Sequence, residues 1–152
     1  GNMVKSTSAL GGGLYMNAAD VTVNIHNSII SANSRGTTGT GTASDVEGVA
    51  AAGWTKKSTV IGNQVFDLNA AVIAGANFDF ATMLGALTNN GGNLATVKLL
   101  GTANPAVTNG MTSAELTTLG ASLATPVPAA IISFDQIGGN RSGKTHMGAL
   151  AQ

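Results

Sequence analysis

Seven residues, Asn27-Ser28-Ile29-Ile30-Ser31-Ala32-Asn33, return thirty residues later as Lys57-Ser58-Thr59-Val60-Ile61-Gly62-Asn63. Ser28 and Asn33 recur as Ser58 and Asn63, and Ile30 is matched by Val60. A period between roughly 20 and 50 residues constrains a chain strongly. A single such unit cannot bury its own apolar face, so units stack, each covering the last. Just before the first copy, Val21, Val23 and Ile25 alternate with Thr22, Asn24 and His26, the pattern of a strand with one buried and one wet face. Stacked β units are the expected architecture.

The composition fits such a stack. Charged residues are 9% of the 152, against roughly 25% in ordinary soluble domains. Aromatic residues are 4% and hydrophobic residues 43%, so the core must come from Val, Ile, Leu, Ala and Met. The polar surface is left to Thr, Ser, Asn and Gly. Seven Lys and Arg balance seven Asp and Glu, which leaves no basic stripe for a nucleic-acid partner. No apolar run reaches the roughly 18 residues of a membrane span. With no cysteine, disulfides and thiolate metal sites are excluded.

Along the chain, Ser34 to Gly41 reads as an exposed loop between strands, and Trp54 as a packing anchor. Asn89-Asn90-Gly91-Gly92 is a turn, and Leu94 to Leu100 a strand. Thr112 followed by Glu115 has the capping-box form, predicting a helix over Ser113 to Leu119 stopped by Gly120. Pro126 and Pro128 predict an extended stretch leading into a strand over Ala130 to Phe134.

Several of these segments share the pattern of a known group. Gly11-Gly12-Gly13-Leu14-Tyr15 and Val23 to Asn33 resemble the GGGIY and LTLTNSTISGN coils of bacterial right-handed parallel β-helix proteins with a pectin-lyase-like (pectate-lyase-like) fold. Leu84 to Gly92, Leu99 to Gly110, and Asp135 to Arg141 with Gly148-Ala149 resemble the closing segment of the choice-of-anchor and polymorphic-outer-membrane-like members. Departures include Ala86, Asn93, Asn104, Thr108 and Ile137.

The resemblance implies an all-β, right-handed single-stranded parallel β-helix with an irregular closing segment and one short helix. Residues 1–152 would form a single domain, with coils over about 10–80 and the closing segment over about 81–152, a fragment of a longer protein. Asn27, Asn33 and Asn63 would take left-handed backbone at coil corners. Asp135 and Arg141 would bridge the last coil.

Function follows from the same comparison. The resemblance implies a secreted or cell-surface module, structural or adhesive and non-catalytic, with a polysaccharide or glycan as partner. Upstream coils, or a second copy at the N-terminal end, would cover the first coil. A polysaccharide lyase or glycoside hydrolase fragment is the alternative; it requires an acidic cluster with a base. The one close acidic pair is Asp45 and Glu47, separated by Val46 so that both share a strand face. They are the candidate calcium ligands, although calcium takes six to eight oxygens. No catalytic residue and no other cofactor is assigned.

Gly138 to Thr145 also matches the phosphate-binding pattern G-x-x-x-x-G-K-[ST]. That chemistry needs a helix starting at the Lys and a downstream acid for magnesium. His146 to Gln152 holds no acid and carries Gly148, so the pattern is assigned to the closing segment. His26 and His146 lack a ligand spacing and read as turn or surface residues. Lys56 and Lys57 read as a solvated pair.

Overall fold

The computed structural model describes residues 3–4, 12–17, 22–36, 41–48, 54–141, 143 and 146–148, and it is β-rich. The first half runs β1 (Met3–Val4), β2 (Leu14–Met16), β3 (Val23–His26), β4 (Ile29–Ile30), β5 (Ser34–Arg35), β6 (Thr42–Ala43), β7 (Val46–Gly48), β8 (Trp54–Lys57) and β9 (Thr59–Ile61). Each of the first four strands pairs in parallel with a later one: β1 with β5, β2 with β7, β3 with β8 and β4 with β9. Met3 lies on Ser34, Val23 on Trp54 and Ile29 on Val60, always 31 residues apart; Leu14 lies on Val46, 32 apart.

The sequence match at thirty residues is therefore one residue short. At 31, Ile29 meets Val60 and Ile30 meets Ile61. Apolar stacking decides the register, because a slip of one residue would turn every side chain to the opposite face. The backbone repeats at 31 residues at one turn and at 30 at the next. Asn27 and Ser58 both take left-handed φ, at 48° and 46°. At the next corner the left-handed residues are Ala32 (φ 60°) and Gly62 (φ 63°), not Asn33 and Asn63. The loop expected over residues 34–41 is in part a hairpin, since β5 pairs antiparallel with β6; residues 37–40 lie outside the described residues.

Beyond β9 the parallel pairing stops. Gly62 and Asn63 turn the chain into β10 (Gln64–Phe66), antiparallel to β9, and β11 (Val72–Asn77) pairs antiparallel with β10. Asp79 then caps α1 (Phe80–Met83), its carboxylate accepting the Ala81 N–H at 3.0 Å. The hairpin β12 (Leu84–Thr88) and β13 (Thr96–Leu99) follows, with Asn89 to Gly92 in its turn and β13 inside the predicted strand.

Among the described residues three more short helices follow: α2 (Pro105–Thr108), α3 (Ser113–Ala121) and α4 (Ala129–Ile132). The capping box at Thr112 and Glu115 forms as predicted. Gly120 does not stop α3. It lies inside the helix, buried, where an added Cβ would meet the end of the Ile132 side chain of α4. The strand expected over Ala130 to Phe134 is instead α4. Pro128, at φ −58°, starts a helical turn with the preset angle that suits a first turn, and contact with α3 overrides β propensity.

The core joins the two halves. Val60, Val65, Phe78, Leu99, Ala106 and Met147 pack together, with Ile29, Ile73, Met83 and Leu84 against them. Asn104, one of the departures from the resembled pattern, is buried and used fully. Its Nδ2 donates to the carbonyls of Met83 (2.8 Å) and Leu100 (3.1 Å), and its Oδ1 accepts the Ala106 N–H at 2.9 Å.

Candidate functional site

Two grooves with polar side chains on their walls lie on either side of α3. On one side a groove of about 610 Å³ lies between β3 and the end of α3, lined by Asn24, His26, Ser28, Leu119, Ser122 and Leu123 among others. On the other, a groove of about 550 Å³ is bounded by Lys57, Asn69, Met111, Glu115 and Thr118. His26, Leu119 and Ser122 line both. The capping box fixes Glu115: its Oε2 accepts the Thr112 N–H at 2.7 Å.

His26 lies in register with Lys57 on the neighbouring strand, so the two side chains leave the sheet on one face. Its Nδ1 is buried without a hydrogen-bond partner among the described residues. Burial pulls the His26 pKa below 6.5, and the Lys57 ammonium pulls it further down. The folded state therefore prefers the neutral ring, while the unfolded chain takes up a proton near pH 6.5. Between those two pKa values the unfolded state binds more protons, so stability rises with pH. As pH falls from about 7.5 to about 5, the melting temperature should drop further for the native protein than for His26→Gln. Parallel melting curves for the two proteins check this; identical pH slopes would remove His26 from the account.

Asp45, just before β7, and Glu47, within it, each make a protein contact. Asp45 Oδ1 accepts the backbone N–H of Asn33 at 2.8 Å and its side-chain Nδ2 at 2.9 Å. Glu47 forms an ion pair with Arg35, Nε to Oε1 at 3.1 Å. Among the described residues, no group of three His, Cys, Asp or Glu side chains could hold a metal ion.

The other sequence candidates resolve as follows. Trp54 is half-buried in β8, in register with Val23, as a packing anchor would be. Lys56 is not simply solvated, because its Nζ sits 5.2 Å from the Phe66 ring centroid. His146 is buried rather than exposed, and its carbonyl accepts the Asn27 side chain at 3.0 Å. Arg141 donates from Nη2 to the Gly148 carbonyl at 2.9 Å and from Nε to the Phe134 carbonyl at 3.3 Å. Burial lowers its pKa, and the nearby Asp135 charge works in the opposite direction. Asp135 Oδ1 accepts the N–H groups of Ile137 and Gly139, which closes a tight turn through Gly138. The phosphate-binding pattern thus begins as a carboxylate-capped turn; Ser142, Lys144 and Thr145 lie outside the described residues.

A third concavity, about 520 Å³, lies beside the β12–β13 hairpin and is largely apolar, with Ile29, Phe80, Leu84, Leu87, Val97 and Met147 on its walls. Chemically, the α3 grooves offer amides, hydroxyls, one imidazole, one ammonium and one carboxylate. That set suits hydrogen bonding to a polyhydroxylated ligand. Sequence reasoning passed over His26, Lys57, Asn69 and Ser122 as a group. Nothing in their spacing joins them, since α3 folds back from nearly a hundred positions away. Comparison with family models, with curated proteins and with solved structures finds no match to this chain.

Proposed function

We propose that this chain is a non-catalytic structural or adhesive module of an exported bacterial surface protein, built as the end of a right-handed parallel β-helix and contacting glycans through its polar grooves. The observation that carries the reading is the nearly constant stacking interval. Four parallel pairs at 31 or 32 residues are what two successive coils of a solenoid require. The antiparallel turn-back of β10 on β9 is a natural way to end such winding, since it covers one strand edge. The three ordered sequence blocks that resemble β-helix closing segments support the same reading.

The glycan partner is favoured by the surface chemistry. Amide and hydroxyl groups of Asn24, Asn69, Thr118 and Ser122 line the α3 grooves, where sugar hydroxyls can both donate and accept. A broad glycan array, run in calcium and again with chelator, tests it. Selective binding that is weakened by Asn69→Ala or Ser122→Ala is the expected result. Loss of binding in chelator would assign Asp45 and Glu47 to calcium. Silence on every glycan would overturn the glycan partner and leave a purely structural module.

A further inference from the structure

The end of α3 lies across His26. The grooves on the two sides of α3 share three residues, His26, Leu119 and Ser122, so these form the ridge that separates them. At that ridge the His26 Nδ1 is buried and has no hydrogen-bond partner among the described residues. A neutral imidazole meets this with a bare lone pair at Nδ1, whereas an imidazolium carries an N–H on both ring nitrogens. Protonation would therefore bury a charged donor without an acceptor, which costs far more than burying the lone pair.

The charges around the ring do not offset that cost. On β8, Lys57 stands in register with His26, and among the described residues no carboxylate forms an ion pair with it. On α3, the Glu115 carboxylate is held by the N–H and the hydroxyl of Thr112, at 2.7 and 2.9 Å. On the loop that brings Leu68 and Asn69 to the groove, the Asp67 carboxylate accepts the N–H groups of Asn69 and Ala71. Lifting α3 would give the imidazolium water instead. The helix is nine residues long, and the Asn27 side chain holds the Met111 N–H just ahead of it. A helix of that length does not persist in water without a packed face.

We propose that His26 is an acid-operated latch, whose protonation releases α3 from the β3–β8 face while the strands beneath stay paired. This does not depend on glycan binding. The released state takes up a proton near pH 6.5 and the closed state only at lower pH, so closure weakens as pH falls through that value. Global unfolding would expose α3 and β9 together, whereas release exposes α3 first. Amide exchange, corrected for the pH dependence of the intrinsic rate, distinguishes them on the native chain. From about pH 7.5 to about 5 the amides of Leu119 to Ser122 are expected to lose protection. Those of Val60 and Gly62, bonded to the carbonyls of Ser28 and Ile30, are expected to keep theirs. His26→Gln stays neutral and should hold α3 protection constant over the same range. Lys57→Met removes the repelling ammonium and should shrink the loss. Equal loss in α3 and β9 would overturn the proposal. So would α3 protection that ignores pH, the result if the ring merely turns to solvent, or an undiminished loss in His26→Gln. The native chain alone decides the first two outcomes should a variant not fold.

Discussion

Asn27→Ala is expected to destabilise the fold by about 3–5 kcal/mol, from two buried-side backbone groups losing their partners and one left-handed residue losing its tolerance. Asn27 sits at φ 48° between β3 and β4. Its Oδ1 accepts the Met111 N–H at 2.8 Å, ahead of α3, and its Nδ2 donates to the His146 carbonyl at 3.0 Å. Its own carbonyl accepts the Gly148 N–H at 3.0 Å. One side chain thus ties the β3–β4 turn to two segments more than eighty residues away. Each orphaned backbone group costs about 1–3 kcal/mol, the lower end applying where solvent reaches it. Alanine in left-handed backbone adds about 1–2 kcal/mol.

For a domain of this size that loss corresponds to a drop in melting temperature of about 6–20 °C. Asn27→Gly separates the two causes, because glycine accepts the backbone angle and loses only the hydrogen bonds. It should fall between native and alanine. Asn27→Asp keeps an acceptor for Met111 and loses the donor to His146, and should also be intermediate. Thermal denaturation followed by circular dichroism ranks the three. Equal melting temperatures for native and alanine proteins would mean that the corner does not hold the closing segment.

Met147→Ala is the second large effect, a destabilisation of about 2–5 kcal/mol as expected for a buried methionine truncated to alanine. Met147 is 1% exposed and packs among Val60, Val65, Phe78, Leu99 and Ala106. Its backbone N–H donates to the Ala106 carbonyl at 2.8 Å, which fixes the side chain over the sheet. The cost is lost transfer energy together with a cavity that surrounding strands cannot fill. Leu94→Ala is the control, since Leu94 is 66% exposed and should shift stability by no more than about 0.5 kcal/mol. Urea titration gives both values. A Met147 variant as stable as the Leu94 variant would show that the last residues do not pack on the paired strands.

Much of the local structure was legible before any coordinates. The alternation of Val23 and Ile25 with Asn24 and His26 identified β3, and the capping box identified the start of α3. Both signals are local: the side chains that make them lie within a few residues of the backbone they organise. Errors arose where a local preference met a distant neighbour. Gly120 looks like a helix stop, but the contact that explains it comes from Ile132. Ala130 to Phe134 carries β propensity, but Pro128 and the face of α3 favour a helical turn. Asp45 and Glu47 stand two apart in sequence, but their contacts to Asn33 and Arg35 come from an earlier segment.

The sequence by itself determined that this protein is β-rich and that it repeats at close to thirty residues; the core that composition assigned to Val, Ile, Leu, Ala and Met also takes in Phe66 and Phe78. Those properties follow from side-chain periodicity and composition, which each segment carries alone. Tertiary structure decided the 31-residue register, the reversal at β10, and the meeting of His26, Lys57 and Glu115 along α3. These depend on which surfaces cover one another, and the free energy of covering belongs to pairs of segments, not to either one.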